Sequence, residues 1–190
     1  MSLSTSNTHA HPGLALPSPW VLRFAPLIPA GSRVLDYACG NGRHARWLAS
    51  AGYEVAAVDR DSLALEALRD IPGIRTRVLD LEGADWPLAG ERYRGVVVTN
   101  YLYRPRFADM LALLGQGDVL IYETFMAGNE RFGKPSRADF LLQPMELIDR
   151  LEGDWTLVAF EQGEVQGARP AVVQRICAIR GKVEPQLPAA

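Results

Sequence analysis

Four polar residues stand at the ends of short apolar runs in the first hundred positions. They are Asp36 after Arg33-Val34-Leu35, Asp59 after Glu54–Val58, Asp80 after Ile74–Leu79, and Asn100 after Gly95–Thr99. The first is followed by Gly40-Asn41-Gly42 and then by an amphipathic run through Ala45, Trp47, Leu48 and Ala51. A strand that turns into a helix on small residues lets a ligand approach the backbone. It also offers that ligand unpaired N–H groups at the positive end of the helix dipole. Such a corner binds nucleotides, and its details select which one. No third glycine completes a G-x-G-x-x-G pattern, and Asp36 lies inside the strand end, before the glycines. A carboxylate there favours a ligand carrying an ammonium group over a pyrophosphate.

A second set of residues could serve a reacting partner. Arg43 and His44 open the helix after the corner, and an unperturbed histidine ionises near neutrality, so His44 reads as a general base or as a hydrogen-bonded structural histidine. Tyr101 and Tyr103 follow Asn100, and aromatic faces attract organic cations. Glu123 ends a later apolar run, where a carboxylate deprotonates or orients an acceptor, or forms a structural ion pair. Arg131, Lys134 and Arg137 lie in a long polar loop, as a grip for an anion or as a solvated surface. No metal site is expected: His9 and His11 have no further ligands nearby in the sequence, and Cys39 and Cys177 read as reduced thiols.

The elements that position these groups alternate. Strands are expected at Arg33–Tyr37, Glu54–Val58, Ile74–Leu79, Gly95–Thr99 and Asp118–Thr124. Helices are expected at about 42–51, from the Asp61 cap through Leu63, Leu65 and Leu68, at 105–114 and at 144–151. A short helix with Trp20 and Phe24 precedes them, broken by Pro26 and Pro29. The 125–140 segment is expected to be a functional lid, since loops this long are uncommon inside domains. Two last strands, Trp155–Gln162 and Ala171–Arg180, have no helix between them and should form an antiparallel hairpin. The fold class is therefore α/β: a Rossmann-like, seven-stranded, mostly parallel sheet with helices on both faces and a C-terminal antiparallel hairpin. Residues 1–19 are expected to be a flexible tail, 20–182 one domain, and 183–190 a second tail.

The 190 residues suffice for one full core, and 48% hydrophobic with 22% charged residues is an ordinary soluble composition. A net charge of −2 argues against the whole chain attracting nucleic acid. No run reaches the roughly 20 apolar residues that cross a bilayer, and no Lys or Arg precedes Arg23 as in a secretory leader. A cytoplasmic monomer or homodimer is the expectation.

The segment Asp36-Tyr37-Ala38-Cys39-Gly40-Asn41-Gly42 resembles the first motif, D/E-x-x-x-G-x-G, of class I S-adenosylmethionine (SAM)-dependent methyltransferases. The short chain is also similar in layout to small bacterial enzymes of the tellurite-resistance and thiopurine type, which act on small soft nucleophiles. The resemblance implies SAM as cofactor and a set of roles. Gly40 and Gly42 would admit the methionine and ribose portion, and Asp36 would favour the methionine ammonium. Asp59 would accept the ribose hydroxyls, with Arg60 beside the adenine. Asp80 and the Leu81 amide would read the adenine edge, and Asn100 would face the methionine or the methyl. Tyr101, Tyr103 and Glu123 would then be the catalytic candidates, and Arg43, His44 and Arg131 the acceptor contacts. The fourth motif, Asn100-Tyr101-Leu102-Tyr103, lacks the proline pair of many amino-directed nucleic-acid and protein enzymes. The expected activity is methyl transfer to a small-molecule acceptor by in-line displacement. RNA or protein methylation, SAM binding without catalysis, and an NAD(P)-dependent oxidoreductase are the alternatives.

Overall fold

The central strands carry the architecture. In β1 (Arg33–Tyr37) and β4 (Tyr93–Thr99), Val34, Leu35, Val96, Val97 and Val98 are all fully buried, as in parallel strands covered on both faces. Around them the computed structural model, which describes residues 16–166 and 169–188, builds one seven-stranded sheet. The other strands are β2 (Glu54–Asp59), β3 (Ile74–Val78), β5 (Leu114–Phe125), β6 (Trp155–Val165) and β7 (Ala171–Arg180). Their order is β3-β2-β1-β4-β5-β7-β6, parallel from β3 to β5, with β7 antiparallel to both β5 and β6. The expected Rossmann-like sheet with its C-terminal hairpin is the observed fold.

Alternation along the strands divides the core in two. Val34, Val97, Ile121 and Cys177 point to the face covered by α1 (Pro19–Phe24), α2 (Arg43–Ser50) and α3 (Ser62–Glu66). Leu35, Tyr37, Val98 and Tyr122 point to the face covered by α4 (Phe107–Leu111) and α5 (Glu146–Asp149). The chain proceeds outward from β1 to β3, then returns to β4 on the other side of β1. The switch in strand order thus lies between β1 and β4, where open sheets of this kind bind ligands.

Several boundaries differ from the expectation for local reasons. Ser18 is not part of a loose tail: it is 5% exposed and caps α1, its Oγ accepting from the Trp20 N–H at 3.1 Å. The rest of the expected tail through residue 15, with His9 and His11, lies outside the described residues, as do 189–190 at the other end. The helix expected at 105–114 is a single 3₁₀ turn followed by five residues of α4. It stops early because the Leu113 carbonyl accepts from Tyr93 and Leu114 pairs with Tyr93, drawing the chain into β5 ahead of Asp118. The helix expected at 144–151 is four residues long. In α3, Leu65 faces the core, as does Leu68 in the turn after it, while Leu63 is 75% exposed.

Candidate functional site

A cavity of about 340 Å³ opens at the carboxyl ends of the strands. Ala38 after β1, Asp59 and Arg60 at the end of β2, Leu79 to Glu82 after β3, and Asn100 to Leu102 after β4 line one part. Thr124 and Phe125 of β5, with Pro135 and Phe140 of the 126–142 loop, line the rest. The first part gathers three carboxylates and one guanidinium; the second has no ionisable side chain. Two of its residues hold positive φ without being glycine, Ala38 at 54° and Asn100 at 55°. Backbone strain of this kind, ~1–3 kcal/mol per residue, is retained where the surrounding structure enforces it, and functional sites are the usual place.

The acidic part is organised by hydrogen bonds. Asp59 Oδ2 accepts from the Gly40 N–H at 2.8 Å and its Oδ1 from the Asp61 N–H at 2.9 Å, which fixes the carboxylate against the turn after β1. Asp80 Oδ1 accepts from the Glu82 N–H at 2.9 Å, and Arg60 lies 3.9 Å from the Glu82 carboxylate. Tyr103 donates its hydroxyl to the Glu82 carbonyl at 3.2 Å. Tyr101 packs edge-on to Tyr37 with ring centroids 5.5 Å apart, and its hydroxyl is buried without a hydrogen-bond partner among the described residues. Burial raises the Tyr101 hydroxyl above its ordinary value, so it stays protonated as a donor.

The other ionisable groups at the strand ends turn away from the cavity. Asp36 is 1% exposed, and its Oδ2 accepts from the Ala45 N–H at 2.8 Å in the first turn of α2. Burial raises its pKa to about 7, against the opposing pull of the Ala45 bond and of Arg43. His44 Nε2 accepts from the Ser18 N–H at 3.1 Å, so the proton sits on Nδ1, which lies 3.2 Å from Thr99 Oγ1. Burial and then Arg43 lower the His44 pKa to about 3, which keeps it neutral. Glu123 accepts from Ser18 Oγ at 2.8 Å and pairs with Arg175 at 3.1 Å. Burial pushes the Cys39 thiol well above its ordinary range, leaving it a poor nucleophile.

The loop over the apolar part is anchored at both ends. Met126 and Leu142 form a parallel bridge, and Asn129 Oδ1 accepts from the Val172 N–H at 3.1 Å. Arg104 donates to the Asp139 and Leu141 carbonyls and pairs with Glu146, which also holds Arg150. This pins the loop so that Pro135 and Phe140 face the cavity.

Residues 34–116 match a family model described as a methyltransferase domain. Solved methyltransferases share the fold of this chain. TehB from Haemophilus influenzae superposes with a TM-score of 0.71 at 21% identity, over 85% of this chain and 61% of that one. The 1,6-didemethyltoxoflavin-N1-methyltransferase of Burkholderia thailandensis, solved with 1,6-didemethyltoxoflavin and S-adenosylhomocysteine, gives 0.63 at 20% identity, over 86% and 76%. A 41-residue segment is 54% identical to the ribosomal RNA small subunit methyltransferase C of Chromohalobacter salexigens, which is 22% of this chain and 12% of that protein.

Within this fold the cavity collects Asp59, Arg60, Asp80, Leu81, Asn100 and Tyr101 from the residues singled out in the sequence. It leaves out Asp36, Gly40, Gly42, Tyr103 and Glu123. Of the expected acceptor contacts, Arg43 reaches the Leu16 carbonyl at 3.4 Å, and His44 is spent on Ser18 and Thr99. Arg131 pairs with Glu164 on an exposed surface, at 3.4 Å. Of the two readings open for His44 and Glu123, base or structural partner, the hydrogen bonds favour the structural one: both face the α1 side of the sheet and are bonded there to Ser18. Thr124 was missed although it follows Glu123 directly. Alternation sends Thr124 to the face opposite Glu123, where it meets the cavity, and Phe125 joins it at the very end of the strand.

Proposed function

We propose that this protein transfers the SAM methyl group to a small, largely apolar acceptor. The observation behind this reading is the division of the cavity, carboxylates on the β2–β3 half and no charge on the β5 and loop half. The residues fit the cofactor: the carboxylates of Asp59 and Asp80 are acceptors for ribose hydroxyls and an adenine amino group, Asp59 is held rigid by two N–H groups, and Ala38 and Asn100 line the opening with left-handed backbone. When bound, SAM supplies an electrophilic methyl on a sulfonium whose positive charge disappears on transfer.

The protein's part is alignment and exclusion of water. Asp59 is assigned to the ribose hydroxyls, Arg60 and Asp80 to the adenine edge, and Leu81, 4% exposed, to its face. Tyr101 is assigned to the acceptor, which its side of the cavity wall would position. Phe125, Pro135 and Phe140 shield the reacting atoms. None of these groups is a strong base, which suits a nucleophile that reacts without losing a proton to the enzyme. Asp36 acts from below the corner by fixing the first turn of α2, and the catalytic unit runs from Ser18 to about residue 182.

The test is calorimetry with SAM on the wild type and on Asp59→Ala. Loss of a charged acceptor of two hydroxyls is expected to weaken binding by roughly 10–100-fold. Wild-type protein that binds no SAM at millimolar concentration refutes the proposal. RNA as acceptor has the 41-residue likeness in its favour. Salt-dependent retention of RNA on the purified protein would support that second reading.

A further inference from the structure

Three residues whose chemistry stands out in the sequence, Arg43, His44 and Glu123, converge on one short stretch of backbone, Leu16 to Ser18. Arg43 donates to the Leu16 carbonyl, the Ser18 N–H donates to His44 Nε2, and the Ser18 hydroxyl donates to Glu123. His44 passes the contact on through its Nδ1–H to Thr99. Thr99 immediately precedes Asn100, whose backbone turns left-handed at the cavity and whose N–H is held by the Glu123 carbonyl at 2.9 Å. One residue at the start of α1 therefore ties together the first turn of α2, the end of β4 and the end of β5. Arg175 closes the arrangement from β7, pairing with Glu123 and lying over the Trp20 ring at 5.1 Å.

These links are directional. His44 is neutral, so Nε2 can only accept and Nδ1 can only donate, and each has one partner of the matching kind. Reversing either bond would set two N–H groups or two lone pairs against each other in a buried site, an arrangement that folded proteins avoid. Thr99 and Glu123 share the α1 side of the sheet, whereas Asn100 and Thr124, one residue further on, border the cavity. A shift of the clasp would then be felt at the cavity wall through a single peptide unit on each strand.

We propose that Ser18 and His44 are positioning residues of the methyl-transfer site, coupling closure of the Leu16–Trp20 segment to cofactor binding. The inference rests on the assignment of the cavity to SAM. Coupling of this kind is reciprocal: whatever the clasp adds to cofactor affinity, the cofactor adds to the stability of the clasp.

Two measurements test it. The first is amide hydrogen exchange of the wild type with and without saturating SAM. Exchange at Ser18 and Trp20 is expected to slow by roughly tenfold more than at Leu147, whose N–H is held by Gln174 on the opposite face of the sheet. The second is Thr99→Val, nearly the same shape without the hydroxyl that His44 needs. It should raise the SAM dissociation constant and KM roughly tenfold while kcat at saturation stays within about twofold, and Thr99→Ser should restore affinity. Equal slowing at Ser18, Trp20 and Leu147, or wild-type affinity in Thr99→Val, overturns the coupling. Absence of SAM binding by the wild type instead overturns the assignment of the cavity, so the two failures are separable.

Discussion

The two glycines of the corner do different work, and a pair of substitutions separates them. Gly42 has φ +67° and is the residue before α2; a Cβ placed on it would collide with Leu68 Cδ1 and lie 2.6 Å from Cδ2. Leu68 is fully buried between α3 and the sheet, so its side chain must move into packed surroundings. Left-handed backbone costs an L-residue ~1–2 kcal/mol and overpacking ~1–3 kcal/mol, so Gly42→Ala should destabilise the fold by about 2–5 kcal/mol. At this chain length that lowers Tm by on the order of 10 °C. Gly40 has φ +53°, but a Cβ there meets nothing within 4 Å. Gly40→Ala should lose only the conformational part, ~1–2 kcal/mol. Because Gly40 donates to Asp59, which lines the cavity, its replacement should show more strongly in SAM affinity than in stability. Urea unfolding of both variants, alongside calorimetry with SAM, reads both quantities. Equal destabilisation of the two variants, or a Gly42→Ala protein with the wild-type unfolding midpoint, would refute the packing argument.

Two further predictions concern buried carboxylates. Asp36 has an ordinary value of 3.8, and burial raises it to about 7 in the folded chain. A raised acid makes folding less favourable as the pH climbs, because the unfolded chain ionises first. Stability without cofactor should therefore fall between about pH 4 and 7, and Asp36→Asn should remove that slope in unfolding curves taken across the range. Glu146 goes the other way: against its burial, hydrogen bonds from Arg104, the Gln143 N–H and Arg150 lower it from 4.5 to about 2. Its contribution is present above about pH 4.5 and is lost as the pH falls toward 2, and Glu146→Gln should abolish this acid-side loss. Faster proteolysis of Glu146→Gln within residues 126–142 is expected too, since Arg104 would lose its main anchor there.

Much of the architecture was readable because it rests on local pattern. β7 begins and ends where the apolar run Ala171–Arg180 does, and β1 spans the expected Arg33–Tyr37. The distinction from a dinucleotide fold was legible for one strong reason and one weak one. The terminal hairpin is the strong reason, since two strands joined without a helix must run antiparallel. The missing third glycine is the weak one: Ala45 occupies that position, and dinucleotide corners also take alanine there. Helix lengths were overestimated at α4 and α5. The hydrophobic spacing of both segments is helical, yet Leu114 is claimed by a strand pairing and Met145, left-handed at φ 66°, keeps α5 from starting earlier, and neither leaves a local trace.

For the site, the sequence by itself determined the chemistry available at each strand end: an acid near the end of β1, at the end of β2 and after β3, an amide after β4, and a carboxylate followed by a hydroxyl on β5. It also determined, through the period of two, that Asp36, Thr99 and Glu123 share a side with Val34, Val97 and Ile121. Which side would carry the cavity was decided only by tertiary structure. That depends on where the 126–142 loop is pinned by Arg104 and Glu146, and on the Ser18 clasp filling the opposite side. Ser18 meets His44 across 26 positions and Glu123 across 105. Hydrogen bonds over such separations have no periodicity or motif to announce them, because folding brings the partners together only after the sheet exists. The same carboxylate that reads as a base in one dimension is, in three, part of the frame.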